Sequence, residues 1–281
     1  MAEEESRGTS VERAGPWARF GGPKAGRIGP VLRQEQVAEY VLQHGSVSAK
    51  DLAGVFGVST MTIHRDLDEL AQQGVLRKVR GAAEPQPTSL FESNVRYRIR
   101  AAREEKEAVC RFAMRLVEPG QSVMLDDSTT ALPLAKLLKR VTPLTVITNF
   151  RMAIDELSGA RGINLTFLGG EYQASRDAFV GIVCEAAIGS LRADVLFMST
   201  PAVSECYAMH QEQDIVRIKR AMMAAAWRKI LLMDHHKLEK PALHMLSPLT
   251  NFDLIVVDSD ADERSIERLR DCGAQVEVAP L

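Results

Sequence analysis

A chain of 281 residues with 46% hydrophobic and 26% charged residues has apolar content for one small and one larger globular domain, or two similar ones. Its net charge of −2 excludes a globally basic nucleic-acid coat, so any DNA affinity must come from a local patch, and no apolar run is long enough for a membrane-spanning helix. Cys110, Cys184, Cys206 and Cys272 are scattered without a CxxC pair and read as small core hydrophobes in a reducing, cytoplasmic compartment, not as a disulfide framework or a zinc site.

The chain begins MAEEES, with acids where a secretory signal carries bases. Residues 1–29 hold Gly8, Gly15, Gly21, Gly22, Gly26 and Gly29, with too little apolar surface to fold alone, and are expected to be a disordered tail. Arg19, Lys24 and Arg27 near its end read as solvated charges.

Residues 30–83 carry a compact pattern. Val37, Tyr40 and Val41 lie on one face of a helix predicted over 31–43. Ala49, Leu52, Ala53 and Phe56 recur at helical spacing over 48–56, Gly57 ends that helix in the left-handed region and Val58 plugs the corner. Ser59 is an N-cap for a third helix, on which Ile63, Leu67 and Leu70 must bury. Met61 and Arg65 then face the other way, flanked by Thr62 and His64. Gly74 stops the helix, and VLRKVRG alternates apolar and basic residues as a hairpin strand does.

A helix, a glycine turn, a second helix and a basic hairpin place one helix in the DNA major groove and a wing on the phosphates. Ser59, Thr60, Met61, Thr62, His64 and Arg65 are the candidates on the reading helix, and Arg77, Lys78 and Arg80 those on the wing. The bases and acids of 30–82 balance, so placement carries the inference: Asp66, Asp68 and Glu69 sit mid-helix, the cations in the wing. Two short amphipathic helices joined by glycine also occur in cores that touch no DNA.

VSTMTIHRDLDELAQQGVLRKVRGA resembles the winged helix-turn-helix of DeoR-type transcriptional regulators, whose pattern is close to VSxxTIRRDLxxLxxxGxLxRxxGGA. The match covers Val58, Ser59, Thr62, Ile63, Arg65, Asp66, Leu67, Leu70, Gly74, Leu76, Gly81 and Ala82. His64 stands for the first of the paired arginines and Arg80 for the first of the paired glycines. The resemblance implies operator DNA as the partner of this domain.

EPQPTS marks a linker over 84–91, and a larger domain is expected over 92–281. RYRIRAAREEKEAVCRFAMRLV reads as one helical stretch, with Arg96, Arg98, Arg100 and Arg103 on a solvated face or an interdomain strut. Strand patterns follow at 122–126, 144–148, 163–168, 194–198, 230–234, 253–258 and 275–278. Helical patterns lie between them at about 129–140, 149–158, 180–191, 212–226 and 261–272. Such alternation predicts an α/β domain with a mainly parallel sheet covered on both faces.

In such sheets ligands bind beyond the carboxyl ends of the strands. The residues there are Asp126, Asp127, Ser128, Thr129 and Thr130, then Asn149, Gly169 and Gly170, then Asp234, His235, His236 and Lys237, with Lys219 and Arg220 on the preceding helix. Hydroxyls and free N–H groups at a helix start form an anion seat, so a small, polar, partly anionic metabolite suits this collection. Asp234, His235, His236 and His244 offer metal-ligating groups. Adjacent histidines at a strand end point to opposite faces, however, and no metal or other cofactor is expected.

The stretch from about Glu92 to Val278 is similar to the DeoR-type effector domain, related in fold to ribose-5-phosphate isomerase and glucosamine-phosphate deaminase. LDDSTT stands for the family's LDSGTT, and LTVITN, LGG, FVG, IKRAM and LSPLTNFDLIVVD also match. The resemblance implies a homo-oligomeric repressor of a carbohydrate operon that senses a phosphorylated sugar or related intermediate. Ser128, Thr129 and Thr130 would hold the phosphate and Lys219 its counter-charge, while Asn149, Asp234 and Lys237 would contact the sugar or order the loops. Asp127 replaces the family's serine and Ser128 its glycine, Ser199-Thr200-Pro201-Ala202 replaces GADG, and His235-His236 replaces a serine pair. An anion beside Asp126 and Asp127 would meet repulsion of about 1 kcal/mol per close charge, so these carboxylates face away or the effector is less anionic. An isomerase or deaminase with Asp126 or Asp127 as base, and a regulator whose pocket serves only oligomerisation, are the alternatives.

Overall fold

The computed structural model describes residues 29–72, 75–85 and 95–281, in two compact units, Met1–Pro87 and Thr88–Leu281. The expected tail, apart from Gly29, the helix stop at Gly74 and most of the expected linker lie outside the described residues.

In the first unit α1 (Pro30–His44) starts on a proline, whose missing N–H costs nothing at a helix's first position. A two-residue strand, β1 (Val47–Ser48), precedes α2 (Ala49–Phe56), which Ser48 caps by accepting the Asp51 N–H at 3.1 Å. Gly57, at φ 63°, turns the chain toward α3 (Thr60–Gln72). Ser59 Oγ accepts the Thr62 N–H at 3.1 Å and caps α3 as its sequence position predicts. Val37, Val41, Leu52, Ile63, Leu67 and Leu70 bury together, and the Tyr40 ring meets Phe56 edge-on at 6.0 Å.

The wing is β2 (Leu76–Val79) and β3 (Ala82–Pro85), joined through Gly81, and β1 pairs with β3 to make three antiparallel strands. The expected linker therefore begins too early. Glu84 and Pro85 belong to the hairpin, where they pair with Arg77 and Leu76.

The second unit departs at its start from the single helix expected there. The arginine-rich stretch is two helices, α4 (Val95–Arg100) and α5 (Arg103–Ala113), broken at Ala102, which sits at φ 52°. The break turns the Arg98 guanidinium inward, so it is not part of a solvated face. Then come β4 (Ser122–Leu125), α6 (Leu132–Leu138), β5 (Leu144–Thr148), α7 (Arg151–Leu157) and β6 (Ile163–Phe167). A hairpin of β7 (Glu171–Gln173) and β8 (Ala178–Val180) leads into α8 (Gly181–Gly189) and β9 (Ala193–Met198). After β10 (Ala202–Ser204) and β11 (Tyr207–His210) follow α9 (Gln213–Ala224), β12 (Ala226–Met233), β13 (His244–Pro248), β14 (Leu254–Asp258), α10 (Glu263–Asp271) and β15 (Val276–Ala279).

The seven predicted strands form one parallel sheet in the order β15-β14-β12-β9-β4-β5-β6. Side chains alternate between its faces, and each face has its own core. Val123, Leu125, Val146, Val195, Phe197 and Leu232 pack with residues of α5, α6 and α7. Met124, Ile147, Leu196, Met198, Leu231 and Met233 pack with residues of α8, α9 and α10. The β7–β8 hairpin and a small antiparallel sheet of β10, β11 and β13 escape the sequence pattern because EYQ, AFV, AVS, YAMH and HMLSP lack the β-branched apolar runs that mark the parallel strands.

The cysteines divide. Cys110 and Cys184 are buried thiols, which burial pushes up to about 12 and about 11. Cys206 and Cys272 instead form a disulfide, against the expectation of core thiols throughout. Cys206 sits with Glu205 at positive φ in the two-residue turn between β10 and β11, and Cys272 at the end of α10, a convergence that a sequence separation of 66 hides.

Candidate functional sites

On α3 the apolar stripe fixes what faces outward. With Ile63, Leu67 and Leu70 buried, Met61 stands 72% exposed and Ser59, Thr60 and Arg65 are exposed beside it, while Thr62 and His64 are half-buried. Ser59 and Thr62 hydroxyls lie 2.9 Å apart, so both are engaged in the cap. Asp66 is buried and accepts from Arg33 at 2.6 Å and Gln34 at 3.2 Å, which ties α3 to α1 and removes that acid from the exposed face. In the wing, Arg77 pairs with Glu84 at 2.6 Å and Lys78 with Asp68 at 2.6 Å, whereas Arg80, on the turn, has no ion pair among the described residues.

In the second unit the order of strands decides where side chains can meet. The chain runs outward from β4 through β5 to β6, then returns to β9 and runs the other way, so β4 and β9 flank the switch point. Their carboxyl ends deliver Asp126-Asp127 and Ser199-Thr200, while β5 delivers Asn149 and β12 delivers Asp234.

Asp126 accepts the backbone N–H groups of Ser128 and Ser199, both at 3.0 Å, and pairs with Lys219 of α9. Asp127 pairs with Arg176 at 3.1 Å and with Lys219 at 3.3 Å. The repulsion expected of these carboxylates is thus met by neutralisation within the protein. Burial pushes the Asp127 carboxyl up, yet the charges of Lys219, Arg176 and Arg98 outweigh it and hold the group below the ordinary carboxylate range. Lys219 is spent on the two aspartates and is no free counter-charge. Arg220 lies apart from this network and donates to the backbone of Met245 and Leu246.

The hydroxyl run is likewise engaged. Ser128 Oγ accepts the Ala131 N–H at 3.2 Å, Thr129 Oγ1 donates to the Arg98 carbonyl at 3.1 Å, and Lys237 donates to Thr130 Oγ1 at 2.5 Å. Lys237 also reaches Ser199 Oγ at 3.1 Å and Asp234 at 2.9 Å. Gly170, at φ 149°, lies so close to β8 that a Cβ would fall 2.4 Å from the Val180 carbonyl oxygen, whereas Gly169 has open space.

Sequence reasoning missed Arg98, Lys106, Arg176, His210 and Glu212. Arg176 sits in the β7–β8 turn, is buried, and holds Glu212 at 3.1 Å as well as Asp127. Burial and the charges of Arg176 and Lys219 push the His210 imidazole well below its usual range, and its Nδ1 accepts the Glu212 N–H at 3.0 Å. Lys106 stands on the same α5 stripe as Val109, Cys110 and Ala113; a lysine on an apolar stripe was a readable signal. It donates to the Arg98 carbonyl and lies 3.3 Å from Thr129 Oγ1. Burial, reinforced by Lys237, pushes its ammonium down to about 7.

Three residues here keep buried side-chain atoms without a hydrogen-bond partner: half-buried Arg98, at Nε and Nη2, and buried Asn149, at Oδ1, and Asp234, at Oδ2, of which only the last has an ion-pair partner among the described residues, Lys237 at 2.9 Å. Buried polar groups are nearly always paired, so the open donors of Arg98 and the open acceptor of Asn149 stand out among the residues at the strand ends.

Residues 101–259 match the family model of the DeoR C terminal sensor domain, and residues 33–86 that of the DeoR-like helix-turn-helix domain. A putative aga operon transcriptional repressor of Escherichia coli O157:H7 is 31% identical over 247 residues, 87% of this chain and 92% of that protein. A lactose phosphotransferase system repressor of Staphylococcus aureus is 28% identical over 85% of this chain and 95% of its own length. Among solved structures, a ribose 5-phosphate isomerase A from Methanocaldococcus jannaschii is 18% identical over 47% of this chain and 53% of its own, with a TM-score of 0.35, too distant to bear on function.

Proposed function

The chain belongs to the DeoR family of DNA-binding transcriptional regulators, and from that premise we propose a repressor of a carbohydrate operon whose grip on its operator is set by a phosphorylated sugar or related intermediate. The names of the aga and lactose phosphotransferase repressors support the carbohydrate assignment. The observation that carries the effector reading is the open valence of Arg98 and Asn149: two guanidinium donors for an anion and one amide acceptor for a hydroxyl.

In this reading Arg98 takes the phosphate with Lys106, while Thr129, Thr130 and Lys237 line its approach. Asn149 and Asp234 take the hydroxyls. Asp126, Asp127 and Lys219 form the charged floor that fixes the loops after β4 and β9. Ser128 and Gly170 hold backbone geometry and Gly169 faces open space. On DNA, Thr60, Met61, Thr62, His64 and Arg65 read bases, with Ser59 holding the helix start, and Arg77, Lys78 and Arg80 take phosphates.

An isomerase or deaminase is disfavoured because its candidate bases are tied up. Asp126 and Asp127 are both paired to buried cations, and Asp127 is held acidic, which makes it a poor base at neutral pH. Turnover of common sugar phosphates by the purified protein would overturn that exclusion. Among the described residues no helix is long and apolar enough to cross a membrane, and a cytoplasmic location suits a regulator of DNA. Two-fold pairing of chains would set two reading helices on related half-sites, and Ile182 and Val183, 78% and 68% exposed on α8, are apolar enough to serve it.

The deciding measurement is thermal stability of the full chain against matched phosphorylated and free sugars. A bound effector at a hundred times its Kd adds about 2.7 kcal/mol by mass action. Stabilisation by phosphorylated sugars, lost in Arg98→Met, is the expected result. No shift with any sugar would leave the pocket a purely structural or oligomerising element.

A further inference from the structure

Beside the sensing crevice lies a second cluster that the effector reading does not use. The chain leaves β12 through Asp234 into a single 3-10 turn, His235–Lys237. Adjacent histidines on an extended strand would diverge, but the turn swings both rings to one side, with centroids 3.9 Å apart and planes tilted by 42°. Glu105, in the first turn of α5, faces them. One ligand atom from each of Glu105, His235 and His236 lies within 4.8 Å of the other two.

The His235 ring is held for the task. Asp258, fully buried at the end of β14, lies 2.8 Å from His235 Nδ1. The same carboxylate accepts the backbone N–H groups of His235 at 2.7 Å and Asp260 at 3.0 Å, so it stands as an acceptor and Nδ1 carries the proton. Nε2 is then left with its lone pair. A carboxylate behind an imidazole is the arrangement that orients histidine ligands at zinc sites and raises their basicity. The alternative grouping of His235, Asp258 and Asp260 is already consumed by this hydrogen bond.

We propose that Glu105, His235 and His236 form a binding site for a divalent transition-metal cation of the zinc class, with Asp258 orienting His235. Two imidazoles and one carboxylate are the ligand set of open tetrahedral zinc sites, which keep a fourth position for water or another ligand. Imidazole ligands favour zinc, copper or nickel over magnesium and calcium. Ligand atoms of such a shell stand about 3.4 Å apart for metal bonds near 2.1 Å. His236 is exposed and Glu105 half-buried, so closing the present spacing calls on these two side chains to turn.

The test uses the full chain stripped of metal by a chelator. Titration with Zn2+, followed by calorimetry, should give one equivalent bound per chain, and Co2+ should produce the visible d–d absorption of a tetrahedral nitrogen–oxygen shell. His236 is on the surface, so His236→Ala keeps the fold by circular dichroism and lowers Zn2+ affinity at least a hundredfold; Glu105→Gln, which keeps the shape, does the same. Asp258→Asn weakens binding about 10–100-fold. Absence of Zn2+ binding by the wild-type chain overturns the proposal. So does binding that survives at equal affinity in both His236→Ala and Glu105→Gln.

Discussion

Lys219, buried against Asp126 and Asp127, and Lys237, which reaches Thr130 and Ser199 from a half-buried stem, have different consequences when truncated. Lys219→Ala leaves the buried Asp126 carboxylate without its cation, while Asp127 keeps Arg176, and loss of one partner of such a buried pair costs about 3–5 kcal/mol, so the variant should melt well below the wild type in calorimetry. Lys237→Ala should keep the fold and weaken the effector-induced shift. Asp127 and Asp234, both held below the ordinary carboxylate range, contribute stability above about pH 4 that is lost as pH falls below it. Lys106 has the opposite sign. Its ammonium is depressed to about 7, so it costs stability below that pH, and the cost fades as pH rises toward the unfolded value of about 10.4. An anion bound beside it restores the charge. Effector binding at neutral pH should therefore take up a proton, seen as a calorimetric enthalpy that depends on the buffer and loses that dependence in Lys106→Met. An enthalpy independent of buffer in the wild type would place Lys106 away from the anion.

At the scale of elements, α3 and the wing should separate reading from holding. Arg65→Ala should cost about 1–3 kcal/mol on the operator and relax its specificity. Arg80→Ala should weaken all duplexes alike and lower the salt slope by about one, with a larger effect than Arg77→Ala, because Arg77 already spends its charge on Glu84. Equal losses on operator and random duplex for Arg65→Ala and Arg80→Ala would refute this division. The β6–β7 link makes a parallel contrast. Gly170→Ala drives a Cβ into the Val180 carbonyl and should cost about 1–3 kcal/mol, whereas Gly169→Ala should be tolerated. These elements were legible to different degrees. The reading helix and the seven sheet strands follow from apolar spacing within one element. Strands β7, β8, β10, β11 and β13 lack the β-branched apolar runs of the sheet strands, and the break at Ala102 interrupts a sequence that looks helical throughout.

For the molecule as a whole, the Cys206–Cys272 bridge closes a span of 66 residues in the second unit only. On loop entropy such a link contributes about 4 kcal/mol, so dithiothreitol should lower the melting of the sensor unit and leave the helix-turn-helix unit unchanged. Cys206→Ser should melt lower and lose its response to reductant.

The sequence by itself determined the DNA-reading unit, the parallel α/β sensor and the strand ends from which Asp126, Asp127, Asn149 and Asp234 project. The helices, strands and strand ends follow from periodicity and turn residues within a few consecutive positions, and the DNA-reading and sensing roles from the family resemblance. Only the tertiary structure decided which charges meet. Arg176 finds Asp127 across 49 residues, Lys219 finds Asp126 across 93, and Lys237 finds Thr130 across 107. Local pattern marks a lysine or an aspartate as polar but does not encode its partner; that is set by the order in which the strands assemble. The same holds for His235 and His236, which an extended chain would part and a single 3-10 turn brings side by side.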